Sequence, residues 1–277
     1  MDITQQVKCA QLDLLEELHR LCEKNGISYF LVGGTLIGAI RHKGFIPWDD
    51  DIDVGMLRGD YERFRQVCGK ELDSAYALYD WHSDPGSPNP FLKLRIRGTH
   101  YPEKISAGSN MVDGIFIDIF PFDSTPAEPK LRRKQARQMR LCRKILLVRC
   151  GFSLGEGSAL KKLVYGTLKL LSRVRSVEGW KKKADAIQTR YNHLDTVTVT
   201  NMGGSYSYER ESHPRAQLEK TVLHPFEQGQ YRIPEGYDDL LRRCYGDYMQ
   251  LPPEDQRVGI HQVQGVDFGS YQIRCRL

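Results

Sequence analysis

Residues 33–56 read GGTLIGAIRHKGFIPWDDDIDVGM, and this stretch decides how the rest of the chain is read. It opens on Gly33-Gly34 and closes on four carboxylates within five positions, Asp49 to Asp53, with Ile52 among them. Alternate residues of a strand share a face, so Asp51 and Asp53 project together while Ile52 turns into the core. Like charges held that close repel unless a cation lies between them. Upstream, a glycine pair that ends one strand and opens a helix lets backbone N–H groups approach a phosphate. Arg41, His42 and Lys43 follow one to two turns later and could neutralise phosphate charge.

Around this stretch the pattern alternates. Val7, Ala10, Leu14, Leu18 and Leu21 recur at helical spacing over residues 5–24, and Asn25-Gly26 stops them. ISYFLV is a short strand, TLIGAIRH a helix, DIDVGM a second strand and RGDYERFRQVCGKEL a helix. AYALYDW and FLKLRIRGTHY are further strands, separated by the loop HSDPGSPNP. GIFIDIF is the last clear strand, closed by Pro121, and YDDLLRRCYGDY a final short helix. The expected fold is α/β (α+β): a mixed sheet flanked by helices, with a basic helical insertion. The expected divisions are a core over 1–126, the basic segment over 127–185, and a C-terminal part, 186–277, that completes the catalytic domain.

Composition narrows the classes. The hydrophobic fraction is 40%, ordinary for a globular protein. No apolar run approaches the roughly 20 residues of a membrane span. The first residues carry no signal-peptide pattern, so a cytoplasmic chain is expected. Seven scattered cysteines without a CxxC pair read as buried thiols, not a zinc site. The net charge of +5 conceals an asymmetry. From Lys130 to Lys183 there are seventeen Lys or Arg against Glu156 and Glu178, leaving the remainder acidic. In ALKKLVYGTLKLLSRV, Leu160, Leu163, Val164, Thr167, Leu168, Leu171 and Val174 share one face, with Lys and Arg elsewhere. The competing readings are a solvated face, nucleic acid, and an anionic membrane surface; the membrane is favoured and nucleic acid is not expected.

The third carboxylate comes from Asp118, alone between Ile117 and Ile119 in GIFIDIF, a costly place for a charge without a partner. Asp51, Asp53 and Asp118 together form a hard oxygen donor set suited to Mg²⁺, with Mn²⁺ as the other candidate. The bland alternatives are a turn at the glycines, a solvated acidic loop, and a strand-end Asp bonded to backbone. The order strand, Gly-Gly, helix, DxD strand, later Asp strand resembles the nucleotidyltransferase superfamily of the polymerase-β type.

The resemblance narrows to the LicD family of phosphocholine transferases, related to fukutin-type proteins. It rests on FLVGGTLIGAIRHKGFIPWDDDIDVGM, RGDYERF, GIFIDIFPFD, PFEQGQYRIPEGYDDLLRRCYGDYMQLPPEDQR and His261. It implies transfer of a phospho-alcohol from a CDP-activated donor, CDP-choline foremost, to a hydroxyl of a glycan or its lipid-linked precursor, with release of CMP. By position, Asp51, Asp53 and Asp118 match the family's metal ligands. Gly33, Gly34 and Thr35 match its phosphate-binding turn. Asp49 and Asp50 are expected to support the turn. Asp118 or His261 would take the hydroxyl proton. Lys93 and Arg95 alternate along a strand and either reach phosphate or sit on a solvated face. Trp48, Trp81, Phe120 and Phe122 are aromatic candidates to cover a quaternary ammonium. The enzyme would work peripherally, on the inner face of the cell membrane. The rival functions are NMP transfer from an NTP, and a non-catalytic glycan or lipid binder.

Overall fold

The first helix, α1 (Ile3–Asn25), shows how closely local sequence sets local structure. Asp2 caps it: its carboxylate accepts from Gln5 N at 2.8 Å, and the Gln5 side chain accepts from Asp2 N. Gly26 ends it in the left-handed region, φ +59°. Val7, Ala10, Leu14, Leu18 and Leu21 are all buried, as their spacing requires. The computed structural model describes residues 2–104, 108–152, 166–170, 172–194, 196–259 and 263–275.

The elements that follow are β1 (Phe30–Leu31), α2 (Gly33–His42), β2 (Asp53–Leu57), α3 (Arg58–Glu71), β3 (Tyr76–Tyr79), β4 (Leu92–Ile96) and β5 (Phe116–Ser124). The chain continues as α4 (Pro129–Arg149), α5 (Val177–Gln188), β6 (Thr198–Asn201), β7 (Ser212–Pro214), α6 (Arg215–Glu219), β8 (Thr221–Phe226), β9 (Gly229–Pro234) and α7 (Tyr237–Tyr245). One mixed sheet runs β1-β2-β5-β4-β3, with β6 and β7 continuing from the far end of β5. Among the described residues only β2 and β5 pair in parallel; β8 and β9 form a separate hairpin. The mixed α/β architecture expected from the pattern is the one found.

Pro121 does not close β5. The strand runs on to Ser124, and β6 to β9 follow it. The reason lies in the neighbours. The β4 ladder stops at Ile119 and the β6 ladder starts at Phe122, so Pro121, which has no N–H to donate, falls in the gap between them. β5 is thus one strand serving two neighbours in succession.

Two cores divide the interior. The main one lies between the sheet and helices α1 to α3, with Leu14, Leu18, Phe30, Ile52, Phe64 and Ile117 among its members. A second lies between α4 and α5, where Met139, Cys142, Leu146, Trp180, Ala184 and Ile187 meet Trp81 and Met202 of the body. Buried polar groups fasten that layer. Lys181, 1% exposed, donates to the carbonyls of Trp81, Asp84 and Pro85. Arg143 donates to those of Met202, Gly203 and Gly204. His82 bridges Glu178 at 2.8 Å and Asp185 at 2.7 Å. Part of the basic segment's charge is therefore structural rather than a solvated face.

Arg58 and Asp123 make a bidentate ion pair at 2.8 and 2.7 Å, with Asp123 fully buried. It locks the start of α3 to the end of β5. All seven cysteines are free, and six are buried. Among the described residues no helix is long and apolar enough to cross a membrane.

Candidate active site

Sheet register assembles the site. Asp53 on β2 lies opposite Asp118 on β5, and Asp118 lies opposite Lys93 on β4. Residues paired across adjacent strands share a face, so Asp53, Asp118 and Lys93 form one row on one side of the sheet. Lys93 Nζ donates to Asp118 Oδ1 at 2.7 Å. Both groups are buried, Lys93 at 5% exposure and Asp118 at 6%. The ammonium also stands 3.3 Å from the centroid of the Phe116 ring. Arg95, two residues on, is buried as well and donates to Gly114 O at 2.8 Å. The solvated-face reading of Lys93 and Arg95 is excluded by that burial.

The glycine turn wraps the carboxylates. Gly33 takes φ +61°, and a Cβ there would stand 2.7 Å from Asp53 Oδ2. A Cβ on Gly34 would meet the Asp49 carboxylate. Only glycine leaves that space and adopts that φ without strain. Thr35 Oγ1 accepts from Asp53 N at 2.9 Å, and Val32 N donates to Asp53 O at 3.1 Å, which fixes the head of β2 beside the head of α2. The positive end of the α2 dipole therefore faces Asp49 and Asp53.

Asp49, Asp50 and Asp51 each offer an oxygen within 4.8 Å of the others. Among the described residues they are the one group of three or more acidic, histidine or cysteine ligands that comes together so closely. Burial first, then the charges of Asp51 and Asp50, push the Asp49 carboxyl up to about 7. Lys8, reaching from α1, backs the turn: its ammonium donates to the carbonyls of Ile46 at 3.3 Å and Pro47 at 3.2 Å. Burial pulls the Lys8 ammonium down from its usual value, and Asp49 opposes that. Asp51 thus belongs to the acidic turn and stands two residues ahead of the Asp53–Asp118 row. Oxygen donors crowded closely enough to raise the proton affinity of Asp49 fit a hard divalent cation.

Other sequence candidates take different places. Arg41 faces away from the glycine turn, donating to Tyr248 O at 2.6 Å and to His42 Nε2 at 2.9 Å. Lys43 is exposed and ends α2 in the left-handed region at φ +59°, its carbonyl accepting from Glu227 N. Trp48, half-buried beside the acidic turn, meets the His42 ring edge-on, and the Arg257 guanidinium lies 5.5 Å from its centroid. Phe120 and Phe122 are core residues, and Trp81 belongs to the second core. His261 lies outside the described residues, as do Leu160, Leu163, Val164 and Leu171 of the basic segment.

The sequence did not single out Tyr245. It stands on α7, its ring 5.2 Å from that of Tyr206. Burial, then Tyr206, then more distant charges including Asp53, hold its phenol well above the usual value. Tyr101 is likewise raised, by burial first and then by Asp50. The abundance of tyrosine in the C-terminal third was the only available signal, and it does not say which ring comes near the carboxylates.

A mixed sheet with carboxylates on adjacent strand heads beside a glycine turn defines a protein of the nucleotidyltransferase type. Comparison with known sequences resolves the family: residues 26–138 match the profile described as LicD/FKTN/FKRP, nucleotidyltransferase domain. The chain is 33% identical over 264 residues to the lipopolysaccharide cholinephosphotransferase LicD of Haemophilus influenzae, covering 93% of this chain and 94% of that one. It belongs to the LicD family. Shorter likenesses are to an uncharacterized protein of Rickettsia typhi, 40% over 65 residues (24% of this chain, 21% of the other), and to the human ribitol 5-phosphate transferase FKRP, 44% over 52 residues (19% and 10%).

Proposed function

We propose that this protein transfers a phospho-alcohol, phosphocholine foremost, from a CDP-activated donor to a hydroxyl of a cell-surface glycan or its lipid-linked precursor. The observation that carries this reading is the end-to-end likeness to a lipopolysaccharide cholinephosphotransferase, in a chain that has Asp51, Asp53 and Asp118 beside its glycine turn. A second relative, named a ribitol 5-phosphate transferase, moves a different phospho-alcohol, so the donor class is broader than its alcohol.

The chemistry is an in-line displacement. The acceptor oxygen forms a bond to the phosphorus that bears the alcohol, the bond from that phosphorus to CMP breaks, and the hydroxyl proton passes to a base. Asp51, Asp53 and Asp118, with Asp49 and Asp50 beside them, are the residues that would hold Mg²⁺ or Mn²⁺. Bound there, the cation would supply neutralisation of the diphosphate charge. Lys93 fixes the orientation of Asp118 through its 2.7 Å bond. Gly33 and Gly34 leave room for the carboxylates and aim backbone N–H groups toward the donor phosphates. Asp118 or His261 accepts the proton.

The test is a screen of CDP-choline, CDP-glycerol and CDP-ribitol with Mg²⁺, scored for CMP release. Release of pyrophosphate from an NTP instead would replace this reading with NMP transfer. A peripheral membrane site is part of the same proposal. Leu170 and Val174 are exposed beside Lys169, Arg173 and Arg175, the mixture an anionic interface takes. Co-sedimentation with anionic vesicles that weakens as salt is raised supports it; no salt-sensitive binding removes it.

A further inference from the structure

Away from the carboxylates, a cavity of about 470 Å³ opens between the first turn of α4, strands β6 and β7, and α7. Arg132, Arg133 and Arg243 line it, together with the hydroxyl-bearing Thr198, Tyr208 and Ser212. One carboxylate, Glu209, is present against three guanidinium groups. None of those three arginines takes part in an ion pair among the described residues; Arg132 spends its Nε on Pro126 O at 2.6 Å. The cavity also receives the N-terminal end of α4, a 21-residue helix whose dipole adds positive potential. Arg243 reaches far enough inward that its charge, after burial, helps hold the nearby His213 neutral. Tyr208 Oη donates to Gln135 Oε1 and Ser212 Oγ to Tyr208 O, so the capacity for phosphate oxygens rests on the guanidinium trio at the helix start.

The position says which phosphate. β6, which supplies Thr198, pairs with β5 at Ser124, six residues along that strand from Asp118. At about 3.3 Å per residue this is roughly 20 Å from the carboxylate row, too far for the donor's own diphosphate. We propose that the cavity binds a phosphate group carried by the acceptor, holding it while a hydroxyl elsewhere on the same molecule reaches Asp118. This rests on the transferase reading for the identity of the anion, but not for its binding.

The probe is inorganic pyrophosphate, titrated calorimetrically into the full chain and into R133Q/R243Q, which leaves the Arg132 bond to Pro126 intact. Saturable binding that weakens at least about tenfold in the variant, with an unchanged melting temperature, supports the cavity. Equal binding by both proteins overturns it. The second arm uses an acceptor with and without its phosphate. KM for the phosphorylated acceptor should rise about tenfold in R133Q/R243Q, while kcat, donor hydrolysis and KM for the dephosphorylated acceptor stay constant. An equal KM rise for both acceptors overturns the assignment to acceptor phosphate. If pyrophosphate binds as expected but no CDP-alcohol is turned over, the transferase reading fails and the anion site stands.

Discussion

Three buried bases sit in three regions of this molecule, and each is accommodated differently. Lys93, at the centre of the sheet, has a carboxylate: Asp118 at 2.7 Å. Lys181, between the helical layer and the body, has only carbonyl oxygens, those of Trp81, Asp84 and Pro85. His213, on β7, has neither; burial first and then the Arg243 charge press it down to about 4, so it stays neutral. The lesson lies in the company each keeps. The carbonyl-capped lysine is complete as it stands; the neutral histidine has Cys244 Sγ 3.7 Å from Nε2 and a buried Nδ1 that no side chain or carbonyl meets. The lysine in the sheet is not complete, because its partner Asp118 also stands beside Asp53, close to the acidic turn. That region holds more carboxylates than Lys93 and Lys8 can balance, and on that surplus the proposed cation site rests.

The largest expected effect separates the site from the rest. Asp53→Asn or Asp118→Asn should lower Mg²⁺-dependent CMP release by at least ~100-fold while the protein stays folded. Near-normal turnover in either would remove the carboxylate row from catalysis. Lys93→Met should come next, costing about 3–5 kcal/mol in chemical denaturation because it removes the ammonium that pairs with the buried Asp118 carboxylate at 2.7 Å. Cation addition should restore part of that stability, since the vacated charge is then matched from outside. His213 sets a pH dependence of similar sign for every buried neutral base. Its folded-state affinity for protons lies below its unfolded one, so its contribution is complete above about pH 6.5 and is lost as pH falls toward 4, a loss on the order of 3 kcal/mol. His213→Gln should flatten that portion of the melting-temperature profile. The smallest effect falls on Lys181→Met, about 1–2 kcal/mol, since it removes hydrogen bonds without stranding a charge. A Lys181→Met protein less stable than Lys93→Met would reverse the comparison.

Much of the site was legible because it is local. Gly33-Gly34, Asp53 and the lone Asp118 are marked by the glycine break and by the cost of a carboxylate among apolar neighbours, whereas the expected pairing of Asp51 with Asp53 on one strand face fails because β2 starts only at Asp53. The fit of Asp49 against Gly34 was not legible, because it depends on the loop from Lys43 to Pro47 returning to the head of α2. Nor was the Lys93–Asp118 pair, which is set by the β4–β5 register rather than by either strand alone. Tyr245 was not legible because its place is set by the packing of α7 on α2, which neither segment shows alone. Pro121 misled for a physical reason: a missing N–H ordinarily ends a ladder, and here no ladder needed it.

The chain leaves the sheet after β5 and returns to it at nearly the same point. Thr125 N donates to Thr198 O at 2.9 Å, across 73 positions of sequence that contain the whole helical layer. An excursion that closes on its own doorway can lengthen, shorten or be exchanged over evolutionary time without displacing Asp53, Asp118 or Lys93. The profile shared with LicD, FKTN and FKRP proteins ends at residue 138, just inside that doorway.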